Sequence, residues 1–219
     1  MDLGIGYIAL VLVIVLFSMT FHEAMHAFAG HWLGDDTAKV EGRLTLNPLA
    51  HIDPFLTIGL PLFLAIASVV TQTPIPIFGG AKPVPFNPGR VRYGDFGAAI
   101  VGVAGPLTNL VFAFIAFGIM AVFGLTTGLT ATVLATTILV NLGFFIFNML
   151  PIPPLDGSRV LYAIAPEPVR RVMEVIEQYG LIFIFALVLL FSAQLGQIII
   201  AIRDIILAAF SAIFGVSMV

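Results

Sequence analysis

The chain has 219 residues, of which 60% are hydrophobic and 10% are charged, whereas about a quarter of an ordinary soluble domain is charged. Nine Lys and Arg residues against twelve Asp and Glu residues give a net charge of −3 without a dense basic run, which excludes a typical nucleic-acid partner. The absence of cysteine excludes disulfides and thiolate chemistry. The composition therefore predicts a protein that crosses the lipid bilayer several times and has no soluble second domain.

The first apolar stretch, residues 3–33, predicts a membrane-spanning helix that ends at the Gly-Asp-Asp sequence after it. Residues 39–46 then alternate polar and apolar side chains, which predicts a short β-like segment. Residues 55–70 form a shorter apolar stretch that contains Pro61, and a run rich in proline and glycine follows at residues 73–89. That density of proline excludes a regular helix in the run.

Three further spans are predicted at residues 96–123, 130–150 and 180–202, with a short last helix after the Arg-Asp pair that ends the third. Residues 167–179 have an amphipathic pattern that is typical of a helix lying along the membrane interface. The second half of the chain is therefore expected to be helical almost throughout.

Together these patterns predict an all-α polytopic membrane protein with about five to six transmembrane helices, a re-entrant hairpin and a short β-like segment. Residues 1–219 are expected to form one membrane-embedded domain. Its motif-bearing core covers about residues 1–165, and its C-terminal helices cover residues 166–219.

The sequence His22-Glu23-Ala24-Met25-His26 fits the pattern H-E-x-x-H. Residues four apart share one face of a helix, so both imidazoles can reach one metal ion. Glu23 can take a proton from water instead of binding the metal. Ionisable residues in a membrane helix are costly and usually functional, so the cluster predicts a metal site. The alternative is a polar helix end at the interface that binds nothing.

A catalytic zinc ion usually has three protein ligands and one open position, so a third ligand must come from another part of the chain. Asp156 is the candidate, because it follows a long apolar span and lies in an irregular Pro-Pro-Leu-Asp-Gly run. Its alternative role is the N-cap of a helix at residues 157–164. Soluble metzincins place a third His six residues after the second, where this chain has Trp32, with His31 one position away.

Three motifs together resemble the signatures of site-2 proteases, which are intramembrane zinc metalloproteases of the M50 type. They are the H-E-x-x-H pattern, Ala-Gly-Pro-Leu-Thr-Asn at residues 104–109, and Asn-Met-Leu-Pro-Ile-Pro-Pro-Leu-Asp-Gly at residues 148–157. Their order and separation match over roughly residues 17–161. The chain resembles a compact form of that family, without a PDZ or CBS domain.

The resemblance implies one catalytic Zn²⁺ ion held by His22, His26 and Asp156, with Glu23 as general base. It also implies that Asn148 orients the substrate or stabilises the oxyanion. The expected function is hydrolysis of peptide bonds within or near transmembrane segments by zinc-activated water, on membrane-protein or signal-peptide-like substrates. The alternative is a non-enzymatic metal-binding membrane scaffold or a transporter. The oligomeric state has no signal in the sequence.

Several other polar residues are expected to be structural. His51 and Asp53 fit loop and cap residues better than ligands, and His31 fits a histidine at the membrane interface. Asn109 and Asn141 are weaker site candidates, because they can simply join helices by hydrogen bonds.

His26 and Asp156 can bind one ion only if both lie near the same membrane face. A full crossing by residues 55–70 would separate them, whereas a re-entrant hairpin, shielded by protein, keeps them together. The hairpin also places eight of the nine basic residues on one side, with only Arg203 opposite, against a six-to-three split for a full crossing. The positive-inside rule therefore favours the hairpin, in a multi-pass protein of the cell membrane whose active site faces the cytoplasm.

A substrate helix must unwind before cleavage, because its carbonyl groups are already hydrogen-bonded. Residues 40–46 or 82–88 are the segments expected to hold the opened substrate by β-addition.

Overall fold

The computed structural model describes residues 5–59 and 81–216. Long runs of apolar residues form helices there, since a helix satisfies its backbone polar groups within its own segment. A short π-helix at Pro54–Gly59 and a 3₁₀ turn at Pro88–Arg90 lie between the third and fourth α-helices. The α-helices are α1 (Ile5–Trp32), α2 (Thr37–Val40), α3 (Pro48–His51), α4 (Gly94–Phe123), α5 (Gly128–Asn148), α6 (Gly157–Ile164), α7 (Glu167–Gln178) and α8 (Gly180–Phe214).

Four of the described helices are long and apolar enough to cross a membrane: Gly6–Trp32, Gly94–Phe123, Gly128–Asn148 and Ile182–Phe214. The prediction of an all-helical, multi-pass membrane protein is confirmed at this level. The predicted span at residues 180–202 and the separate last helix are instead two helical segments of α8 that meet at Phe191, where the backbone is non-helical, so the break does not lie at the Arg-Asp pair.

The number of spans in the described residues is therefore smaller than the five to six predicted. A charged Arg-Asp pair does not end α8, because Arg203 donates to Asp204 Oδ1 at 2.7 Å and the two charges compensate each other. The re-entrant hairpin predicted at residues 55–70 lies largely outside the described residues and stays a prediction.

Residues 39–46 contain no strand, so the predicted β-like segment is wrong. Gly42 ends α2 with a left-handed φ of +68°, which glycine adopts without strain. Its N–H donates to Lys39 O at 3.1 Å, and Arg43 N–H donates to Ala38 O at 2.7 Å, as at many helix ends. The Arg43 side chain turns inward, is only 4% exposed and donates to Lys82 O at 2.5 Å. The alternating pattern therefore reflects a helix end with a buried arginine.

Helix α4 is central, with contacts to α1, α5, α6 and α8. Glycine lets α8 approach it closely, because a Cβ at Gly118 would lie 2.7 Å from Phe214 Cζ. Phe114 of α4 packs edge to face on Phe210, with ring centroids 5.1 Å apart. The core where α4, α5 and α8 meet consists of Ala113, Ala116, Ile138, Leu142, Ile146 and Phe210.

The end of α1 lies next to the start of α4, since Arg92 N–H donates to Leu33 O at 2.9 Å. Helix α4 then runs back along α1, and α5 returns in the opposite direction. The C-terminal ends of α1 and α5 therefore lie at one end of the bundle, where α6 also packs on α4. The H-E-x-x-H residues and Asp156 both belong to that end.

Candidate metal centre

Three side chains converge at this end of the bundle. His22 and His26 lie one turn apart on α1, and their Nε2 atoms are 3.1 Å apart. Asp156 Oδ2 is 3.1 Å from His22 Nε2 and 3.4 Å from His26 Nε2. Within the part of the chain that the structure describes, this is the one group of potential ligands whose atoms all lie within 4.8 Å of one another. The ligands named from the sequence are thus brought together.

The donor set fits a zinc ion. Two imidazole nitrogens and one carboxylate oxygen are typical of a catalytic zinc site, which keeps a fourth position for water. Burial alone would raise the pKa of Asp156, but His26 and His22 beside it hold that pKa well below its usual range. To bind a metal, Asp156 would act as a carboxylate and both histidines as neutral imidazoles.

Asp156 reaches the histidines because of where α6 begins. The residue occupies the N-cap position of α6, yet its side chain makes no capping hydrogen bond. Gly157 lets the preceding loop fold tightly, since a Cβ there would lie 2.8 Å from Leu150 O. The carboxylate contacts the two imidazoles instead, so the alternative reading of Asp156 as a helix cap does not hold.

Glycine on α4 makes room for the histidines. A Cβ at Gly105 would lie 2.8 Å from His22 Nε2 and closer still to His26 Nε2. Any side chain at this position would therefore occupy the space between the imidazoles. The motif at residues 104–109 was identified from the sequence, but the sequence did not predict why position 105 is a glycine.

Glu23 is half-buried, and its Oε2 accepts a hydrogen bond from Val84 N–H at 3.1 Å. Val84 lies in residues 81–87, which have no regular secondary structure. Its neighbours Pro83 and Pro85 have no N–H group, so Val84 carries the one backbone donor of this tripeptide. Sequence reasoning missed this contact, because a backbone group leaves no mark in the side-chain pattern.

A cavity of about 540 Å³ opens beside the three convergent side chains and Glu23. Ala81, Pro83, Val84 and Phe86 line one wall, and Phe144 and Phe147 of α5 line another. Asn148 also lines it, and its Nδ2 donates to Phe144 O of the same helix at 3.0 Å. The structure thus brings Asn148 to the cavity with its amide bonded to its own helix.

Buried polar residues fix residues 81–87 in place. Lys82 N–H donates to His51 O at 2.9 Å, and Lys82 O accepts from Arg43 as described above. At the other end, Asn87 N–H donates to Asp35 Oδ2 at 2.6 Å. Asp35 and Arg43 were missed in the sequence, where they resemble ordinary loop charges, although they are 2% and 4% exposed.

The remaining histidines and Asp53 lie outside the convergent group. His51 Nε2 contacts Thr45 O at 2.9 Å, and His31 Nδ1 contacts Asp36 Oδ1 at 2.6 Å. Asp53 N–H donates to Thr57 Oγ1 at 3.0 Å. The side-chain contacts of His31 and His51 are those of structural residues, and the role of the Asp53 carboxylate stays a prediction.

Both imidazoles are held from α4 through Nδ1, the nitrogen that faces away from the convergent group. His22 Nδ1 is 2.6 Å from Asn109 Oδ1, and His26 Nδ1 is 2.8 Å from Val101 O. Asn109, a weaker site candidate in the sequence that could simply join helices, thus contacts a predicted ligand.

Comparison with known proteins agrees with this geometry. The family model "Peptidase family M50" matches residues 124–192. The chain is 39% identical over 222 residues to "Putative zinc metalloprotease YwhC" of Bacillus subtilis, covering 95% of this chain and 92% of that protein. It is 31% identical over 198 residues to "Putative zinc metalloprotease Rip2" of Mycolicibacterium smegmatis, covering 88% of this chain and 71% of the relative. No solved structure matches significantly.

Proposed function

Since the chain belongs to peptidase family M50 and is a zinc metalloprotease of the membrane, we propose that it hydrolyses peptide bonds within or near transmembrane segments of other membrane proteins. The observation that carries the proposal is the position of the convergent group. His22 and His26 belong to the candidate span Gly6–Trp32, and Asp156 follows the span Gly128–Asn148. Ligands placed in this way would act on a substrate at membrane depth.

In the proposed mechanism, His22, His26 and Asp156 hold one zinc ion. When bound, zinc supplies Lewis-acid activation of water and of the scissile carbonyl. Glu23 takes the proton from the attacking water and returns it to the leaving nitrogen. The Val84 N–H orients the Glu23 carboxylate for this transfer. Asn148 would stabilise the oxyanion if its amide turned from Phe144 O into the cavity.

The proposed substrates are membrane proteins or signal-peptide-like segments. Of the two segments expected to hold an opened substrate, residues 40–46 contain a helix end and a turn, which cannot pair with a strand. Residues 81–87 lie along the cavity without helical structure, so they are the segment that we propose contacts the substrate backbone. Because Pro83 and Pro85 have no N–H group, this segment would contact the substrate backbone mainly through its own carbonyl groups.

The decisive experiment compares purified wild type, Glu23→Gln and Asp156→Asn in detergent, with a single-span reporter protein and with zinc measured on each sample. We expect wild type to hold one zinc ion and cleave, Glu23→Gln to hold zinc without cleaving, and Asp156→Asn to lose zinc. Cleavage that is unchanged in Glu23→Gln would contradict the assigned base. Zinc binding without cleavage of any membrane substrate would favour the metal-binding scaffold.

A further inference from the structure

We propose that Asn109, Asn141 and Ser18 are positioning residues for His22, acting as a directed chain of hydrogen bonds that leaves Nε2 of this imidazole as the metal-binding nitrogen. The inference rests on the proposed zinc site. It gives these side chains a role that differs from both sequence-based expectations for Asn109 and Asn141, which are a weak candidacy for the site and the joining of helices.

The three residues come from three different helices and are withdrawn from solvent. Asn109 on α4 and Asn141 on α5 are both 0% exposed, and Ser18 on α1 is 3% exposed. Burying an amide without hydrogen-bond partners is costly, and here each amide is fully satisfied. The chain of bonds therefore has little freedom to rearrange.

Backbone carbonyl groups fix the direction of this chain. Asn141 Nδ2 donates to Thr137 O and to Ser18 Oγ, each at 2.9 Å, so Asn141 Oδ1 must face Asn109. Asn109 Nδ2 donates to that oxygen at 2.8 Å and to Ser18 O at 3.4 Å. Because a carbonyl group only accepts, neither amide can be turned over without leaving two acceptors in contact.

The direction of the bonds decides the tautomer of His22. With both Asn109 N–H groups used, its Oδ1 faces His22 Nδ1 at 2.6 Å, and this oxygen can only accept. Nδ1 must therefore carry the proton, and the lone pair lies on Nε2, which points at His26 and Asp156. Partners of this kind orient metal-binding histidines and raise their basicity.

His26 is held differently, which makes the proposal testable. Its Nδ1 is oriented by the backbone carbonyl of Val101, which side-chain substitutions leave in place. Only the His22 partner can be changed by mutation. A neighbouring residue offers a matched control, because the Thr108 hydroxyl donates to Ala104 O within α4 at 2.9 Å.

The test measures zinc affinity by chelator competition on metal-free protein in detergent, together with thermal unfolding of the metal-free samples. We expect Asn109→Leu to bind zinc about 10–100-fold more weakly, and Asn141→Leu to show a smaller loss. Thr108→Val should bind zinc as wild type does.

The absorption spectrum of the Co²⁺-loaded proteins gives a second readout. It should change in Asn109→Leu and be retained in Thr108→Val, because it reports the ligand field of the histidines. Wild-type zinc affinity in Asn109→Leu would overturn the proposal, as would equal losses in Thr108→Val and Asn109→Leu. Graded zinc affinities in a protein that cleaves no reporter would support this inference while contradicting the proposed function.

Discussion

Val84 and Glu23 are joined by a hydrogen bond from a backbone N–H to a carboxylate oxygen, 3.1 Å long. This bond connects the H-E-x-x-H helix to a segment that is 61 positions away in the sequence. The two prolines that flank Val84 have no N–H group, so neither could donate this hydrogen bond in its place.

Removing this donor should slow catalysis without removing the metal. Val84→Pro eliminates the N–H, and hydrogen bonds to charged groups contribute about 1.5–3 kcal/mol. We therefore expect kcat to fall about 10–100-fold, with zinc content unchanged. Val84→Ala keeps the backbone donor and should retain most of the activity. A rise in KM with an unchanged kcat would indicate instead that Val84 binds substrate and does not position Glu23.

Adding one methyl group at Gly105 should abolish metal binding. The new Cβ would lie within 2.8 Å of His22 Nε2, and the backbone of a packed helix cannot move away easily. We expect Gly105→Ala to contain no zinc and to be inactive. Gly143→Ala is the matched control, because a Cβ at that glycine has no neighbour within 4 Å. Metal analysis of the two purified variants distinguishes a local clash from a general effect of alanine.

The buried carboxylate of Asp35 should make stability depend on pH. Burial would raise the pKa of Asp35, but hydrogen bonds from Asn87 N–H and from the Thr37 hydroxyl and N–H lower it below its usual value. A lowered pKa stabilises the fold above the unfolded-state value of about 3.9, and this stabilisation is lost as pH falls through the folded-state pKa.

Asp35→Asn should therefore reduce the free energy of unfolding near pH 7 by about 1–3 kcal/mol, which thermal unfolding would detect as a lower midpoint temperature. The deficit relative to wild type should shrink as the pH falls below about 4. The exposed neighbour Asp36 gives the control, and Asp36→Asn should have little effect at any pH. If the loss of unfolding free energy in Asp35→Asn did not change with pH, the ionised form of Asp35 would contribute nothing to stability.

Two adjacent arginines on α7 should differ sharply in their effect on stability. Arg170 donates to Asp95 Oδ2 at 2.7 Å, to Ala165 O at 2.9 Å and to Ala163 O at 3.2 Å. Arg171 is exposed, and its guanidinium pairs with Glu167 one helical turn away. Lysine cannot reproduce several donors in a planar fork. Arg170→Lys should destabilise the protein by about 1–3 kcal/mol, and Arg171→Lys by less than about 0.5 kcal/mol, as measured by thermal unfolding in detergent.

The orientation in the membrane can be tested by single cysteines, since the chain has none of its own. Lys39→Cys lies at the end of the bundle that holds the metal centre, and Thr126→Cys lies in the connection between α4 and α5 at the other end. If the metal centre faces the cytoplasm, an impermeant maleimide should label Thr126→Cys in intact cells and Lys39→Cys only after permeabilisation. The reverse pattern would place the site on the outer side.

The sequence was sufficient for the features that depend on local pattern. Apolar length predicts where the four described spans lie, though not their number, and the spacing of His22 and His26 predicts that they share one helix face. Asp156 could be selected because so few ionisable residues follow an apolar span in this chain. Ionisable residues are rare in a membrane-spanning chain, so the few that lie in or next to apolar stretches are easy to identify from the sequence.

The features that the sequence did not predict depend on distant contacts. The alternation at residues 39–46 resembled a strand, but Gly42 and the inward Arg43 make it a helix end. An isolated Arg-Asp pair suggested a break in α8, although adjacent opposite charges can remain within a helix. The direction of the Asn109 hydrogen bonds depends on the carbonyl groups of α1 and α5, which no spacing rule along α4 can reveal.

The hydrogen bond between Arg92 N–H and Leu33 O has a consequence for how such proteins can diversify. It brings the two ends of the intervening chain together, so α4 begins at the end of the bundle where α1 finishes. A segment exchanged between these two positions leaves α4, α5 and α8 in their present directions as long as its ends still meet in this way. Within that unit, residues 81–87 must keep their place, because Val84 N–H donates to Glu23, so exchange is open only to segments that leave this contact intact.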